Sequence, residues 1–271
     1  MSGIMNYIQI DYEQLKQIIV NVAKKELLPR FANVSHIQKA DKSIVTEADI
    51  ETQKSLVQQL KEHWPDIPLL GEEMSAEEQE DLLKSDQAIW CLDPLDGTTN
   101  FATGVPYFAV SLALICNGKT QLGAVYDPMR DEYFFAATEQ DNTLSATLNG
   151  QPLKLSNNKI ELVNAVALVD LKRLSKALAT RVAVEPPFAS QRNFGASALD
   201  WCWLAASRSH VYLHGNQNIW DYAAGELIFR AAGGLSETLK GEPVFNHALE
   251  KRSVVAAIEP SVFKEWTQWV K

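Results

Sequence analysis

Cysteine is scarce in this sequence. Its 271 residues include three cysteines, Cys91, Cys116 and Cys202, and no two of them form a Cys-x-x-Cys pair. Wide spacing within apolar stretches is typical of buried thiols and argues against a disulfide framework or a cysteine-based zinc site. The histidines also offer no pair with metal-binding spacing among His36, His63, His210 and His247. We therefore expect the reducing environment of the cytoplasm.

Long apolar runs are also missing. No stretch approaches the roughly 18 apolar residues of a membrane span. The first ten residues lack the basic region and apolar core that a secretory signal requires. The sequence also has no internal repeat, no low-complexity tract and no Gly/Ser linker. These absences predict a protein that is neither secreted nor membrane-spanning, and whose parts share an interface.

Basic residues are outnumbered by acidic ones. The chain has 25 Lys and Arg against 34 Asp and Glu, for a net charge of -9. This balance argues against a nonspecific nucleic-acid binder, because affinity for a phosphate backbone comes mainly from basic side chains. It leaves room for small phosphorylated molecules, since divalent cations can bridge carboxylates and a phosphate. We expect neither a nucleic-acid partner nor a membrane partner.

The periodicity of apolar residues predicts a mixed, layered fold. Two amphipathic helices at 11–31 and 46–64 come first, the second capped by Thr46 and Asp49. A helix at 76–83, a buried strand at 88–92 that stops at Asp93, and an antiparallel meander over 108–148 follow. After about residue 155 strands and helices alternate, with strands at 165–170 and 210–213 and helices at 172–179, 197–207 and 221–232. The sequence thus predicts one unit, 1–271, with an α+β half over 1–155 and an α/β half over 156–271.

Asp93 and Asp96 are the first candidate site residues. A sharp turn at Pro94 would bring the two carboxylates within a few ångströms, and such close anions suit a bound Mg²⁺ or Mn²⁺. The alternative is an ordinary Asp-rich surface turn. The following Gly97 and Thr98 predict a helix start whose backbone N–H groups face an anion such as phosphate. An ordinary Thr-capped helix would explain Thr98 but not the two aspartates.

Other acidic residues have two interpretations each. Glu72 and Glu73 could be metal ligands or solvated surface charges. Asp221 could be a metal ligand or an acid favoured by the N-terminus of a helix. Asp49 could have a role in the site or be only the capping partner of Thr46.

Three segments together resemble the inositol monophosphatase family of Mg²⁺-dependent, Li⁺-sensitive phosphatases. The resemblance covers roughly residues 11–258, and the order and spacing of the segments are also those of the family. The segments are Gly71-Glu72-Glu73, Trp90-Cys91-Leu92-Asp93-Pro94-Leu95-Asp96-Gly97-Thr98-Thr99-Asn100-Phe101, and Trp220-Asp221-Tyr222-Ala223-Ala224-Gly225 with Ala231-Ala232-Gly233-Gly234. The fold that the resemblance implies is a layered αβαβα sandwich.

The resemblance also implies a site with two or three Mg²⁺ ions. Glu72, Asp93 and the backbone carbonyl of Leu95 would bind the first ion, and Asp93, Asp96 and Asp221 the second. Glu72 would also face a weaker third site, and Lys42 and Glu73 would lie in the outer shell. Water would attack directly, activated by Thr98, whose hydroxyl is oriented by Asp49, and no covalent phosphoenzyme would form.

The resemblance implies a small phosphorylated alcohol, such as inositol monophosphate, as substrate. Asp96, Gly97, Thr98 and Asp221 would face the substrate, with Gly195, Ala196 and Asp200 near the pocket wall. In the animal inositol enzymes a glutamate seven residues before the second-motif aspartate contacts the inositol ring. This chain has His214 at that position, and the resemblance implies that His214 binds the substrate there. The segment between Val169 and Gln191 is also short relative to those enzymes. A cytoplasmic homodimer is the implied assembly.

Several rival functions remain open from the sequence. Related enzymes with the same cage hydrolyse 3'(2'),5'-bisphosphate nucleotides, fructose 1,6-bisphosphate or NADP. Haloacid-dehalogenase phosphatases attack through the first aspartate of an Asp-x-Asp motif. Here two residues separate Asp93 from Asp96, which disfavours that mechanism. A relative without catalytic activity that binds a regulatory partner is the alternative outside the enzymes, and the intact set of predicted ligands disfavours it.

Overall fold

The structure is a computed structural model of the chain. It describes residues 9–33, 36–38, 44–72, 74–85, 87–139, 141–156 and 159–271. No helix in this part of the chain has the length and apolar character needed to cross a membrane.

Helices are distributed along the whole described chain. They are α1 (Tyr12–Glu26), α2 (Glu47–His63), α3 (Ala76–Leu83), α4 (Thr98–Thr103), α5 (Lys176–Val184), α6 (Ser197–Ala205), α7 (Ile219–Ala231) and α8 (Pro260–Val270). Short 3-10 turns lie at Leu28–Arg30, Leu162–Asn164 and Leu171–Arg173.

Strands of the first half are β1 (His36–Gln38), β2 (Ile44–Thr46), β3 (Leu69–Gly71), β4 (Ile89–Asp96), β5 (Ala109–Cys116), β6 (Lys119–Asp127), β7 (Glu132–Thr138), β8 (Leu144–Leu148) and β9 (Gln151–Pro152). Strands of the second half are β10 (Val166–Asp170), β11 (Ser190–Arg192), β12 (Val211–Gln217), β13 (Leu235–Glu237) and β14 (Arg252–Ala257).

The strands form two large sheets and one small antiparallel pair. The larger sheet has seven strands in the order β3-β4-β5-β6-β7-β8-β9. It is antiparallel except for the parallel pair β3 and β4. The second sheet has five strands in the order β11-β10-β12-β14-β13, and β10, β11 and β12 run parallel. β1 pairs with β2.

The core divides into layers because alternate strand residues face opposite sides of each sheet. Trp90 and Leu92 of β4 pack with α1 and α2 on one face of the seven-stranded sheet. Ile89 and Cys91 face the other way, towards α6 and α7. The five-stranded sheet covers the far side of α6 and α7, and α5 and α8 pack on its outer face. This order of helix, sheet, helix, sheet and helix confirms the predicted layered αβαβα architecture.

The predicted meander is confirmed, together with its two turns. Asn117 and Gly118 both have positive φ, 51° and 67°, and so do Asn149 and Gly150, 50° and 78°. Such pairs are typical of the two-residue hairpin turns that fit the twist of antiparallel strands.

One strand end was predicted wrongly. β4 continues to Asp96 instead of stopping at Asp93. Asp93 pairs with Ser111 and Asp96 pairs with Ala109. Between these two pairs β4 advances by three residues and β5 by only two. This extra residue is a β-bulge, which accommodates Pro94 without a missing ladder hydrogen bond.

The helix predicted at 172–179 was also misplaced. A 3-10 turn occupies Leu171–Arg173, and α5 begins only after Ser175, whose hydroxyl accepts a 3.3 Å hydrogen bond from the Leu178 N–H. Ser175 is the better helix start because its side chain satisfies a free backbone donor. In α2, the periodicity of the sequence predicts that Ile50 lies on the apolar side of the helix, but Ile50 is 53% exposed.

Candidate active site

The bulge of β4 brings Asp93 and Asp96 to the end of this strand. Both residues are buried, 7% and 8% exposed. Asp93 Oδ1 accepts a 3.0 Å hydrogen bond from the Leu95 N–H, which fixes the turn through Pro94. Burial raises the pKa of Asp93 well above its usual range, and the charges of neighbouring carboxylates raise it further. The sharp turn that the sequence predicts here is therefore present.

Asp96 connects this bulge to the second half of the chain. Its Oδ2 accepts a 2.6 Å hydrogen bond from the backbone N–H of Ala198, in the first turn of α6. Burial, and then the charge of Asp221, raise the pKa of Asp96 to about 8, while backbone N–H groups of α6 act in the opposite direction. Asp96 thus caps a helix that has no side-chain cap of its own at Ala196.

Asp221 lies in the first turn of α7. Its Oδ2 accepts a 2.8 Å hydrogen bond from the Asn218 N–H, as part of a capping box. Burial raises its pKa to about 6, and the hydrogen bond from Asn218 opposes that rise. Asp221 does lie at the N-terminus of a helix, as one of its two interpretations from the sequence requires. Its repulsion with Asp96 also places it in the acidic cluster.

Glu72 approaches the cluster from the end of β3, which lies beside β4. Its side chain is exposed, yet its charge contributes to the raised pKa values of Asp93 and Asp221. The structure therefore brings Glu72, Asp93, Asp96 and Asp221 into one electrostatic neighbourhood. Among the described residues, no three His, Cys, Asp or Glu side chains are already arranged to hold a metal ion. The ligand set from the sequence stays a prediction.

Thr98 and Asp49 form the contact that the sequence predicts for them. Thr98 Oγ1 lies 3.0 Å from Asp49 Oδ1 and 3.0 Å from the Leu95 carbonyl oxygen. The other carboxylate oxygen of Asp49 accepts hydrogen bonds from the N–H and hydroxyl of Thr46, at 2.7 and 2.6 Å. Burial raises the pKa of Asp49, against the effect of these donors. Because a hydroxyl has one proton, Thr98 can donate to only one of its two acceptors at a time.

Gly97 links the bulge to α4. Its φ of +91° is in the region that favours glycine. A Cβ there would lie 3.0 Å from the Tyr107 carbonyl oxygen and 3.1 Å from the Cβ of Ala196. The predicted helix start at Gly97 and Thr98 is confirmed, but α4 has only six residues.

Gly195 and Ala196 adjoin the same loop from the second half of the chain. The side-chain amide of Asn100 donates hydrogen bonds to the Phe194 and Tyr107 carbonyl oxygens, at 2.6 and 2.8 Å. These bonds hold the loop before α6 against the loop after α4. The structure thus places both predicted residues near the acidic cluster, whereas their contact with substrate stays a prediction.

His214 is buried on β12, with both ring nitrogens engaged. Its Nε2 lies 3.4 Å from Asp170 Oδ2, and its Nδ1 accepts a 3.2 Å hydrogen bond from the Asn216 N–H. The predicted role of His214 in substrate binding stays a prediction. Asp170 was missed by the sequence reasoning, although it ends a predicted strand. That position is informative because ligands bind beyond the carboxyl ends of parallel strands.

Asp200, which the resemblance places near the pocket wall, is a buried acid on α6. Its Oδ1 accepts a 3.0 Å hydrogen bond from the Tyr107 hydroxyl. Burial raises the pKa of Asp200 well above its usual range, and the charge of Asp96 adds to this effect. The two predicted outer-shell residues, Lys42 and Glu73, lie outside the described residues.

Comparisons with known proteins agree with this arrangement. The sequence model of the inositol monophosphatase family matches residues 5–268. "Inositol monophosphatase 1" of Solanum lycopersicum is 35% identical over 234 residues, which cover 82% of this chain and 84% of that protein. "Nus factor SuhB" of Pasteurella multocida is 32% identical over 231 residues, with 84% and 82% coverage.

A solved structure agrees as well. The extragenic suppressor protein suhB of Bartonella henselae superimposes with a TM-score of 0.80 at 26% identity, covering 96% of this chain and 97% of that one. The family match extends over nearly the whole chain and includes the acidic cluster described above. The chain belongs to the inositol monophosphatase family and is, by that membership, a phosphatase of the phosphoric monoester hydrolase class.

Proposed function

We propose that the protein is a Mg²⁺-dependent phosphomonoesterase that hydrolyses the phosphate ester of a small alcohol, such as an inositol monophosphate, by direct attack of water. The observation that carries this proposal is the acidic cluster of Asp93, Asp96, Asp221 and Glu72. Burial and mutual repulsion raise the pKa values of the three aspartates. Such a cluster is stabilised when cations replace its protons.

The donor chemistry of the cluster fits magnesium. Carboxylate and carbonyl oxygens are hard ligands that suit Mg²⁺, with Mn²⁺ as a substitute. Glu72, Asp93 and the Leu95 carbonyl would hold one ion, and Asp93, Asp96 and Asp221 another, with a third near Glu72. When bound, such ions lower the pKa of water and stabilise the attacking and leaving oxygens of a phosphoryl transfer.

Thr98 and Asp49 would move the proton of the attacking water. The Thr98 hydroxyl can accept a proton from water while it passes its own proton to Asp49, which lies 3.0 Å away. Burial raises the pKa of Asp49, and this makes its carboxylate a stronger proton acceptor than an exposed aspartate. The N–H groups of Gly97 and Thr98, at the start of α4, would donate to phosphate oxygens.

Asp93→Asn tests the proposal directly. It removes one charge from the centre of the cluster but keeps an acceptor for the Leu95 N–H. We expect Mg²⁺-dependent turnover below a tenth of the wild-type rate with a folded protein by circular dichroism. Asp66→Asn, at an exposed aspartate, is the matched control and should keep wild-type turnover. Retention of more than about a tenth of the activity in Asp93→Asn would contradict the proposal. Isolation of a phosphoaspartyl enzyme would favour the covalent mechanism instead.

The alcohol and the assembly belong to the same proposal. A panel of inositol phosphates, 3'-phosphoadenosine phosphates, fructose bisphosphate, glycerol phosphate and NADP would rank the rival substrates by kcat/KM. We propose a homodimer that works in the cytoplasm, and sedimentation at working concentrations tests the oligomeric part.

A regulatory role is the second candidate, because several relatives carry the name Nus factor SuhB. The complete acidic cluster and the Thr98–Asp49 contact favour catalysis, since a binding protein has no need of either. Absence of Mg²⁺-dependent turnover over the whole panel, from a folded protein, would favour the regulatory role.

A further inference from the structure

We propose that Asp170 is the residue that recognises the alcohol, and that His214 is a positioning residue that holds its carboxylate. The proposal deepens the proposed function and rests on it. It specifies that the alcohol released by hydrolysis has a further hydroxyl group, which donates a hydrogen bond to the Asp170 carboxylate.

Asp170 and His214 lie at the edge of the sheet where a substrate would bind. They are register partners where the parallel pairing of β10 and β12 ends, since Asp170 is the last residue of β10 and His214 lies three residues before the end of β12. In sheets of this kind ligands bind beyond those ends. The pair also adjoins the acidic cluster, since His214 lies within electrostatic range of Asp221 and Asp170 within range of the buried Asp200.

The hydrogen bonds of the pair decide which member faces the substrate. His214 is 6% exposed at its side chain and has both ring nitrogens engaged within the chain. An N–H from Asn216 points at Nδ1, so the proton of the neutral ring lies on Nε2 and points at Asp170. No ring nitrogen of His214 remains to contact a substrate, and its role is to orient the neighbouring carboxylate.

The Asp170 carboxylate, in contrast, is partly exposed and can accept further hydrogen bonds. The side chain of Asp170 is 21% exposed. Its Oδ1 accepts a 3.0 Å hydrogen bond from the Lys172 N–H, and its Oδ2 lies 3.4 Å from His214 Nε2. A carboxylate has about four lone-pair sites, so two remain. Although burial alone would raise the pKa of Asp170, the bonds from His214 and Lys172 and the charge of Arg173 lower it on balance. Asp170 is therefore an anionic acceptor.

Close backbone packing fixes this geometry. A Cβ at Gly215 would lie 1.8 Å from the Arg173 carbonyl oxygen. The backbone of the turn after Asp170 is therefore in direct contact with the backbone of β12 at the residue after His214. The two side chains are thus held from both strands. A rigid anionic acceptor binds a substrate hydroxyl well and repels a second phosphate or carboxylate on the leaving group.

Two pairs of substrates that share a carbon skeleton and differ in hydroxyl groups test this inference. They are myo-inositol 1-phosphate with cyclohexyl phosphate, and glycerol 2-phosphate with isopropyl phosphate. The measured quantity is the ratio of kcat/KM for the hydroxylated member to that for the member without hydroxyls. We expect the wild-type ratio to exceed about 10 for at least one pair, and Asp170→Asn to lower it about 10-fold to 100-fold through KM.

Asp141→Asn is the matched control variant. Asp141 is an exposed aspartate that also accepts a hydrogen bond from the N–H two residues ahead, at 2.8 Å from Thr143. We expect it to keep the wild-type ratio. His214→Leu should lower the ratio, and His214→Gln, whose amide can still donate to Asp170, should restore most of it.

Each outcome bears on a separate proposal. A wild-type ratio near one for both pairs overturns the inference without any variant, and so does an unchanged ratio in Asp170→Asn. An equal loss for both members of a pair also overturns it, because that loss is structural. Failure of the wild type to hydrolyse any of the four esters with Mg²⁺ contradicts the proposed function instead.

Discussion

The carboxylate of Asp96 and the backbone N–H of Ala198 are joined by a 2.6 Å hydrogen bond. The bond connects the bulge of β4, in the seven-stranded sheet, to the first turn of α6, which packs between the sheets. The Asp96 side chain therefore has two functions. Asp96 is a predicted metal ligand, and it also satisfies a free donor at the start of a buried helix.

These two functions can be separated by substitution at Asp96. Asp96→Asn keeps an oxygen for the Ala198 N–H but removes the charge, so we expect at least a 100-fold loss of turnover with little loss of stability. Asp96→Ala removes the cap as well and should cost about 1–2 kcal/mol of unfolding free energy. Urea unfolding in the presence of a chelator measures the stabilities. Equal stabilities of the two variants would contradict the capping role.

Substitutions at Thr98 can distinguish the chemical role of its hydroxyl from the role of its side chain in packing. Thr98→Ser keeps the hydroxyl beside Asp49 and should retain activity within about 10-fold of the wild type. Thr98→Ala removes the hydroxyl, and we expect kcat to fall about 100-fold because a general-base path is lost. Steady-state kinetics with one phosphate ester compares them. If Thr98→Ala were as active as Thr98→Ser, the hydroxyl would have no part in proton transfer.

Cation binding should be visible in the stability of the protein. Because the cluster of Asp93, Asp96 and Asp221 would bind Mg²⁺ in the folded state, the cation should stabilise the wild type by about 2.7 kcal/mol at 100 times its Kd. Thermal unfolding in Mg²⁺ and in chelator measures the difference, which should be largely lost in Asp93→Asn. We also expect Li⁺ and excess Ca²⁺ to inhibit turnover, since each brings a different charge or geometry to the site. No stabilisation by Mg²⁺ would contradict a metal site at this cluster.

Gly97 should tolerate no side chain. Gly97→Ala combines a positive φ of +91° with a Cβ 3.0 Å from the Tyr107 carbonyl oxygen. Gly150→Ala is the matched control, because its φ is +78° and no atom lies within 4 Å of its added Cβ. We expect Gly150→Ala to cost about 1 kcal/mol and Gly97→Ala to cost at least about 2 kcal/mol, with lower activity. Equal costs in urea unfolding would show that the contact at Gly97 is unimportant.

Much of the fold could be predicted because its patterns are local. The cap at Thr46, the hairpin turns and the apolar face of α1 depend on residues a few positions apart. β14 and α8 were not predicted. The pairing of β14 with β12 is not local, because α7 and β13 lie between these two strands in the chain. The bulge at Pro94 was missed for a similar reason, since only pairing with β5 reveals the extra residue.

The candidate site divides in the same way. The contact between Thr98 and Asp49 was predicted from the resemblance, whereas Asp170 was not, because its importance comes from its register with His214 on another strand. The position of Asp170 beside His214 thus depends on pairing between β10 and β12, which lie about 40 residues apart in the chain. Local periodicity does not contain such information.

Glu226 provides a test of buried charge away from the acidic cluster. It is 4% exposed on α7, its Oε1 lies 3.6 Å from Arg230 Nε, and its Oε2 has no hydrogen-bond partner among the described residues. Burial raises its pKa, although Arg230 and Ser236 act against this. The pKa of Glu226 in the folded state exceeds its value of about 4.3 in the unfolded state. Protonated Glu226 therefore contributes its full stability below about pH 4.3, and this contribution is lost as the pH rises through the folded-state pKa.

Glu226→Gln should therefore flatten the pH dependence of stability. The amide stays neutral, so the variant should gain about 1 kcal/mol over the wild type at pH 8 and little or nothing at pH 4. Glu185→Gln, at an exposed glutamate after α5, is the matched control and should follow the wild-type curve. Urea unfolding between pH 4 and pH 8 measures both. A difference between Glu226→Gln and wild type that does not grow with pH would mean that Glu226 is already fully paired as an anion in the folded protein.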